Sequence, residues 1–457
     1  MNFKSKKLKL NSCFFIATLL CILGLTSLHP QEKSLSKFFE LENGLRVYLY
    51  EKHTLPLVNL SFGVNLGSKD ESDETNGLVH LLEHYILFRG SESRDEKEVS
   101  RDIRRHGTYF NAYTGYDITI FEMSLLSKYL NFALENQKDL VFNLKLTQEE
   151  LDKEKQIIFE EINQIQDDPI KYATSLAYQN LFQSAQYHRP LYGKKEVIAA
   201  ATVEQMENFY KKYIIPSNCV MAIVGDINLE EIEEKVKKIF GELPPGEFMP
   251  VKFEKANLLE KNIEIKEEMD VNQAYLILGF IAPDYNHPDQ YAMDVLVEIL
   301  GRGGNPMLSQ PLRQRRDLIR SISTGYNSLK YGGAVLFFLT MEPKFIKTVK
   351  REAIEFFKTS HRKNYSIKDY SGDAKFYAFD YLESAKNQIK LSSHKLNEKG
   401  LNIATSLVMF MLLNEDKDRP NYLNTIDNLK SSDLRKIART YFTKHYVTVL
   451  IVPKKER

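Results

Sequence analysis

Apolar and polar positions alternate along GLRVYLYEK and again along PLVNLSFGVNLGS, each run bounded by glycine, proline or charge, so both predict strands. The period then changes. GLVHLLEHYILFRG is almost continuously apolar, and Thr75 and Asn76 supply cap chemistry ahead of it, which predicts a helix from about Asn76. FNAYTGYDITIFEMSL returns to the β-branched and aromatic composition of a strand, and LTQEELDKEKQIIFEEINQIQ reads as a long charged helix. CVMAIVGDI, residues 219–227, predicts one more strand that ends in a turn, with a helix rich in Glu and Lys after it.

GELPPGEFMP, residues 241–250, carries three prolines, two glycines and no regular period, and is the best linker. Beyond it the order restarts. QAYLILGFIAPDYNHPDQYAMDVLVEILGRGG sets out a strand, a loop and an apolar helix much as NLSFGVNLGSKDESDETNGLVHLLEHYILFRG does. The expected fold class is α+β, with two related domains at 31–245 and 246–457, each a mostly antiparallel sheet flanked by helices. The second apolar helix has no histidine pair, so the chemistry is expected in the first domain.

Composition adds little: 457 residues with 43% hydrophobic and 27% charged side chains describe an ordinary globular protein. The N-terminus departs from that average. Lys4, Lys6, Lys7 and Lys9 precede CFFIATLLCILGLTSL, an uncharged run shorter than the ~20 residues of a spanning helix, so residues 1–30 read as a secretory signal peptide. Its removal takes the formal charge from +1 to −3, since four lysines leave and no acid does, and leaves Cys219 as the sole cysteine. No nucleic-acid partner and no internal disulfide are expected of the mature chain, nor a membrane span, and the chain is expected to be exported, periplasmic or secreted.

HLLEH carries the candidate chemistry. On a helix, positions i and i+4 share a face, so His80 and His84 can direct ring nitrogens to one point, with Glu83 beside them. Two neutral imidazoles suit zinc, and a catalytic zinc needs a third protein ligand and an open position. The bland alternative is a core helix with an incidental histidine pair. A third ligand is sought among the acids of ELDKEKQIIFEEINQ, where Glu154 and Glu161 share a helical face and Glu160 points about 100° away from Glu161. Spacing alone does not choose among them.

HxxEH is the inverted zinc motif, and the chain resembles the pitrilysin/insulinase family of zinc peptidases, in the half-length branch that includes mitochondrial processing peptidase. The resemblance runs in order through GLVHLLEHYILFRG, FNAYTGYDITIF, EKQIIFEEI, HRPLYGKKEVI and PSNCVMAIVGDI. It implies a glutamate ligand 77 positions after the second histidine, or 76 in some members, with another functional glutamate seven earlier; 77 leads to Glu161 and 76 to Glu160, and Glu154, seven before Glu161, decides for Glu161. By resemblance, then, one zinc per chain is held by His80, His84 and Glu161, Glu83 is the general base, and Glu154 orients a ligand histidine.

The same resemblance implies a metalloendopeptidase acting on peptides or unstructured segments, with an extended substrate adding to the strand of FNAYTGYDITIF and Asn111 a substrate contact. It also implies that each chain forms half of a clamshell chamber. The family's LRxxxGLxYS pattern, whose Arg and Tyr face the zinc across the cleft, stands here as LRQRRDLIRSIS: Arg313 matches, Asp317 replaces the glycine, and Arg320 replaces the tyrosine. A dimer follows as an expectation, either with a related metal-free subunit that carries the Arg and Tyr or with a second copy of this chain. The alternative function is a non-catalytic structural or partner subunit of a peptidase-like complex.

Overall fold

The computed structural model describes residues 35–183, 186–249, 251–366, 380–415 and 421–454; the segment 1–30, expected to be a signal peptide, lies outside them. The first sheet holds β1 Ser36–Glu40, β2 Arg46–Glu51, β3 Leu57–Val64, β4 Tyr109–Thr114, β5 Thr119–Leu126 and β6 Cys219–Gly225, ordered β1-β2-β6-β3-β5-β4. The second holds β7 Ile263–Met269, β8 Ala274–Ala282, β9 Ser321–Leu329, β10 Gly332–Met341 and β11 Val447–Pro453, ordered β7-β11-β8-β10-β9. Strip β1 from the first and the two orders coincide strand for strand. Each has one parallel pair, β2 with β6 and β7 with β11, and the other neighbours are antiparallel. The chain is α+β with two related sheets flanked by helices.

The repeat extends to a buried ion. Lys155, in the helix Gln148–Asp167, donates to the carbonyls of Ala199 at 3.1 Å and Ala201 at 2.7 Å. Lys386, in the helix Tyr381–Glu398, donates to the carbonyls of Asp427 at 2.7 Å and Leu429 at 2.8 Å. Both ammonium groups thus satisfy carbonyls at the end of one short helix, Lys195–Ala200 or Tyr422–Asn428, where the backbone lacks internal partners and the helix dipole favours a cation. Aligning the lysines puts Glu154 opposite Ala385 and Glu161 opposite Ser392, so the second half has neither acid.

The halves exchange helices. Pro169–Leu181 follows the first acidic helix but buries Ala173, Ala177 and Leu181 against Ile277, Ile281, Val447 and Val449 of the second sheet. Gly400–Leu413 makes the reciprocal crossing and covers Val220, Ala222 and Val224 of the first sheet with Ala404, Leu407 and Val408. Close approach explains Gly63 near the end of β3: a Cβ there would lie 2.3 Å from Val408 Cγ1 and 2.8 Å from Leu412 Cδ1. Gly279 in β8 is the counterpart under Leu181, at 3.1 Å. Gly63→Ala is therefore expected to destabilise the chain by about 1–3 kcal/mol through overpacking, read as a lower urea midpoint; an unchanged midpoint would show that the crossing helix does not seat closely.

Two expectations change in detail. The helix starts at Leu78, with Gly77 at its N-cap and φ +114, because a left-handed turn delivers the chain into it; Asn76 does not cap it directly. FNAYTGYDITIFEMSL is a hairpin, not one strand, turning between β4 and β5. In that turn Asp117 is buried, accepting from the Tyr187 hydroxyl at 2.6 Å and from the Lys330 backbone N–H at 2.9 Å. Lys330 lies in the turn between β9 and β10, so the two equivalent hairpins touch at their tips.

Candidate metal centre

The helix Leu78–Phe88 buries all ten residues from Leu78 to Leu87, His80, Glu83 and His84 included. Its length of nearly unbroken apolar side chains carries three polar groups into the interior, where each must find a partner. The His80 and His84 rings meet edge to face, 4.6 Å between centroids.

Gln148–Asp167 packs against this helix and is opened by Thr147, whose side chain accepts from the Glu150 N–H. It turns Leu151, Ile158 and Ile162 into the core and Glu154 and Glu161 towards the histidines. Glu161 Oε2 stands 3.5 Å from His80 Nε2 and 3.5 Å from His84 Nε2. Among the described residues these three form the one cluster with metal-ligand chemistry, one donor atom from each lying within 4.8 Å of the others. Glu160, its neighbour, is exposed.

Glu154 is wholly buried and sits behind His84. Its Oε2 faces His84 Nδ1 at 3.1 Å, and its Oε1 accepts from Arg89 Nε. Arg89 also reaches Glu96 at 2.9 Å and Glu150 at 3.2 Å, so one guanidinium anchors the carboxylate that orients the ligand histidine. With Nδ1 donating to Glu154, His84 keeps the Nε2 lone pair for the cluster.

Electrostatics divides the two imidazoles. Burial, aided by the neighbouring His84, holds His80 well below its ordinary pKa, so it is neutral and ready to ligate. Burial works against charge on His84 too, but the Glu154 and Glu161 carboxylates outweigh it and lift that ring to about 10. Between the two rings and Glu161 a cation would find two nitrogens and a carboxylate oxygen. The donor set fits zinc.

Glu83 stands beside the ligand cluster without belonging to it and accepts from the Thr114 hydroxyl at 3.0 Å. Burial pushes its carboxyl up to about 7, against the pull of His84. That value suits a group that must take and return protons near neutral pH.

The other candidates lie apart. Asn111 is in β4, the edge strand, opposite Glu122, and strand alternation puts it on the face away from Thr114. Arg313 is exposed and lines a cavity of about 540 Å³ with Arg302, Ser309, Asp317 and Ile322; none of the metal cluster borders it. Asp317 has φ +49, the backbone shape a glycine adopts freely, so the turn survives the substitution. Arg320 is exposed and pairs with Glu342 at 3.3 Å.

Sequence reasoning did not find Thr114 or Arg89. Arg89 lies one turn beyond His84 and within reach of the acidic helix, a usable signal; Thr114 is one polar residue in a strand and gives none.

Residues 46–195 match the model of insulinase, peptidase family M16, and residues 200–363 match that of the peptidase M16 inactive domain. An uncharacterized zinc protease, YmxG, of Bacillus subtilis is 25% identical over 91% of this chain and 98% of its own. A probable mitochondrial-processing peptidase subunit beta of Arabidopsis thaliana is 28% identical over 60% of this chain and 53% of its own. The fold matches the crystal structure of a protease from Helicobacter pylori, TM-score 0.81 at 23% identity, over 92% of this chain and 99% of that one. The inactive-domain match runs from the end of the first half into the second and stops before Ala385 and Ser392, which stand where the first half has Glu154 and Glu161. With an inverted HxxEH helix, a third acid brought to it and this repeat of two sheets, the chain belongs to the pitrilysin/insulinase family of zinc peptidases, family M16.

Proposed function

We propose that this chain is an exported zinc metalloendopeptidase that hydrolyses peptides and unstructured polypeptide segments, with one zinc per chain. The observation that carries the reading is the convergence of His80, His84 and Glu161 with the buried acid Glu83 beside them. A zinc ion bound there supplies Lewis acidity, lowering the pKa of a bound water towards about 7 and polarising the scissile carbonyl. Glu83 takes the proton of the attacking water and delivers it to the leaving amine. Thr114 holds the Glu83 carboxyl through its hydroxyl, and Glu154 keeps His84 turned so that Nε2 faces the cluster.

The substrate is an extended segment that pairs with the free edge of β4, which supports binding through main-chain hydrogen bonds with little demand on sequence. The active unit is a dimer. Arg313 stands apart from the metal cluster of its own chain and Arg320 occupies the tyrosine position, so the chamber is completed by a second subunit, a copy or a related metal-free chain. Export rests on the basic and apolar order of residues 1–30; no helix of the described residues is long and apolar enough to cross a membrane. A non-catalytic subunit would have no use for a complete set of three ligands, a base and a buried carboxylate behind a ligand.

An unstructured peptide and a folded protein of similar sequence, offered to the chain purified with its native partners, test the substrate class. The peptide is expected to be cut and the folded protein spared, with activity in the fractions that elute as a dimer. Activity confined to a monomer would contradict the shared chamber, and equal cleavage of both substrates would contradict the extended-strand reading.

A further inference from the structure

The segment HRPLYGKK has no part in the chemistry above, yet it is packed against the start of the metal helix. That start has an unusual closure. Gly77 at the N-cap offers no side chain, and the first turn of any helix leaves backbone N–H groups without internal partners. Glu71, buried and outside the helix, supplies the acceptor: its Oε1 takes the N–H of Gly77 at 3.0 Å and of Val79 at 2.8 Å. Its Oε2 takes the Asn76 side-chain amide at 2.8 Å. All three bonds come from N–H donors, and an acid at this end of a helix is further favoured by the dipole.

Asn76 carries the link onward. The same amide donates to the Pro190 carbonyl at 3.0 Å, and the Asn76 carbonyl accepts from the Lys194 N–H at 3.2 Å. Between those two points Gly193, at φ +86, lets the loop lie against Gly77; a Cβ on Gly193 would be 2.3 Å from the Gly77 Cα. Asp73 adds ion pairs to Arg189 at 3.5 Å and Lys194 at 3.4 Å. The loop so held puts the Tyr192 ring edge-on to His80, 5.1 Å between centroids. His84 is steadied from behind by Glu154 and Arg89; His80, one turn nearer the helix start, has this clamp.

We propose that Glu71 is a positioning residue of the metal site, closing the first turn of the metal helix and, through Asn76, fixing the Pro190–Lys194 loop that confines His80. The inference rests on the zinc reading above. Glu71→Gln keeps an acceptor for Gly77 and Val79 and sets one amide NH2 against that of Asn76. Leu134→Ala is the control: Leu134 is buried in the same half, on the helix Leu130–Phe142, which supplies no residue to the clamp, and its truncation costs stability.

Two measurements on the full chain decide it. Zinc affinity, by competition with a fluorescent chelator, is expected to fall about tenfold in Glu71→Gln, the lower end for residues that orient metal ligands, and to stay within about twofold of wild type in Leu134→Ala. Amide hydrogen exchange of the metal-free protein is expected to quicken over residues 76–84 in Glu71→Gln alone. Unchanged affinity and exchange in Glu71→Gln would overturn the proposal, as would an equal loss of affinity in Leu134→Ala. A wild-type chain that binds no zinc would overturn the proposed function instead, while the exchange comparison would still decide whether Glu71 holds the helix.

Discussion

Glu83→Gln is expected to lower kcat for peptide cleavage by about 1,000-fold or more, within the range of general acid–base contributions, while zinc remains bound as in wild type. The separation follows from the geometry. Glu83 bonds to Thr114 and is no member of the ligand cluster, so its amide leaves His80, His84 and Glu161 where they are. Gln keeps the size of the side chain and can still accept from Thr114, so the fold is preserved. It cannot take a proton. The loss corresponds to about 4 kcal/mol of transition-state stabilisation. Cleavage at the wild-type rate would remove Glu83 from the mechanism, and loss of zinc together with activity would make it a ligand.

The second large effect separates two adjacent glutamates. Glu161→Ala is expected to weaken zinc binding by at least about 100-fold, an order of magnitude for losing one of three protein ligands worth about 3 kcal/mol, and to abolish cleavage at ordinary zinc concentrations. Glu160→Ala should change neither, because Glu160 is exposed on another face of the same helix. The pair shares sequence context, charge and helix propensity, so only direction distinguishes them. Equal zinc affinity in the two variants would contradict the ligand set, and a larger loss in Glu160→Ala would reassign it.

How legible the site was depended on how local each contact is. His80, Glu83 and His84 are read from one helical stretch, since their spacing states their common face. Glu161 is not: the acids of Gln148–Asp167 fit several faces, and only the resemblance selected one, because the crossing of two helices is a tertiary fact. Glu71 was hidden for a related reason. The expected cap was a side chain at Thr75 or Asn76, whereas the acceptor comes from a preceding turn and Asn76 faces the Pro190 loop instead.

The repeat was legible as a restart of strand, loop and helix, but its most exact marker was not. Lys155 and Lys386 sit in highly charged helices where a lysine reads as solvated surface; both are buried on carbonyls at equivalent helix ends. The exchanged helices were equally hidden. Pro169–Leu181 and Gly400–Leu413 lie within one half in sequence and pack on the other, and amphipathic pattern says that a face is buried without saying against what. Gly63 and Gly279 mark those crossings, but a glycine within a strand has several meanings until the neighbour is known.

The most direct test restores zinc to the metal-stripped protein, purified with its native partners, and follows bound metal and cleavage of an unstructured peptide together. The predicted result is saturation at one zinc for each HxxEH-bearing chain, with cleavage absent at the start and rising in proportion to occupancy. Cleavage that persists without metal, or full occupancy with no cleavage, would contradict the zinc peptidase reading.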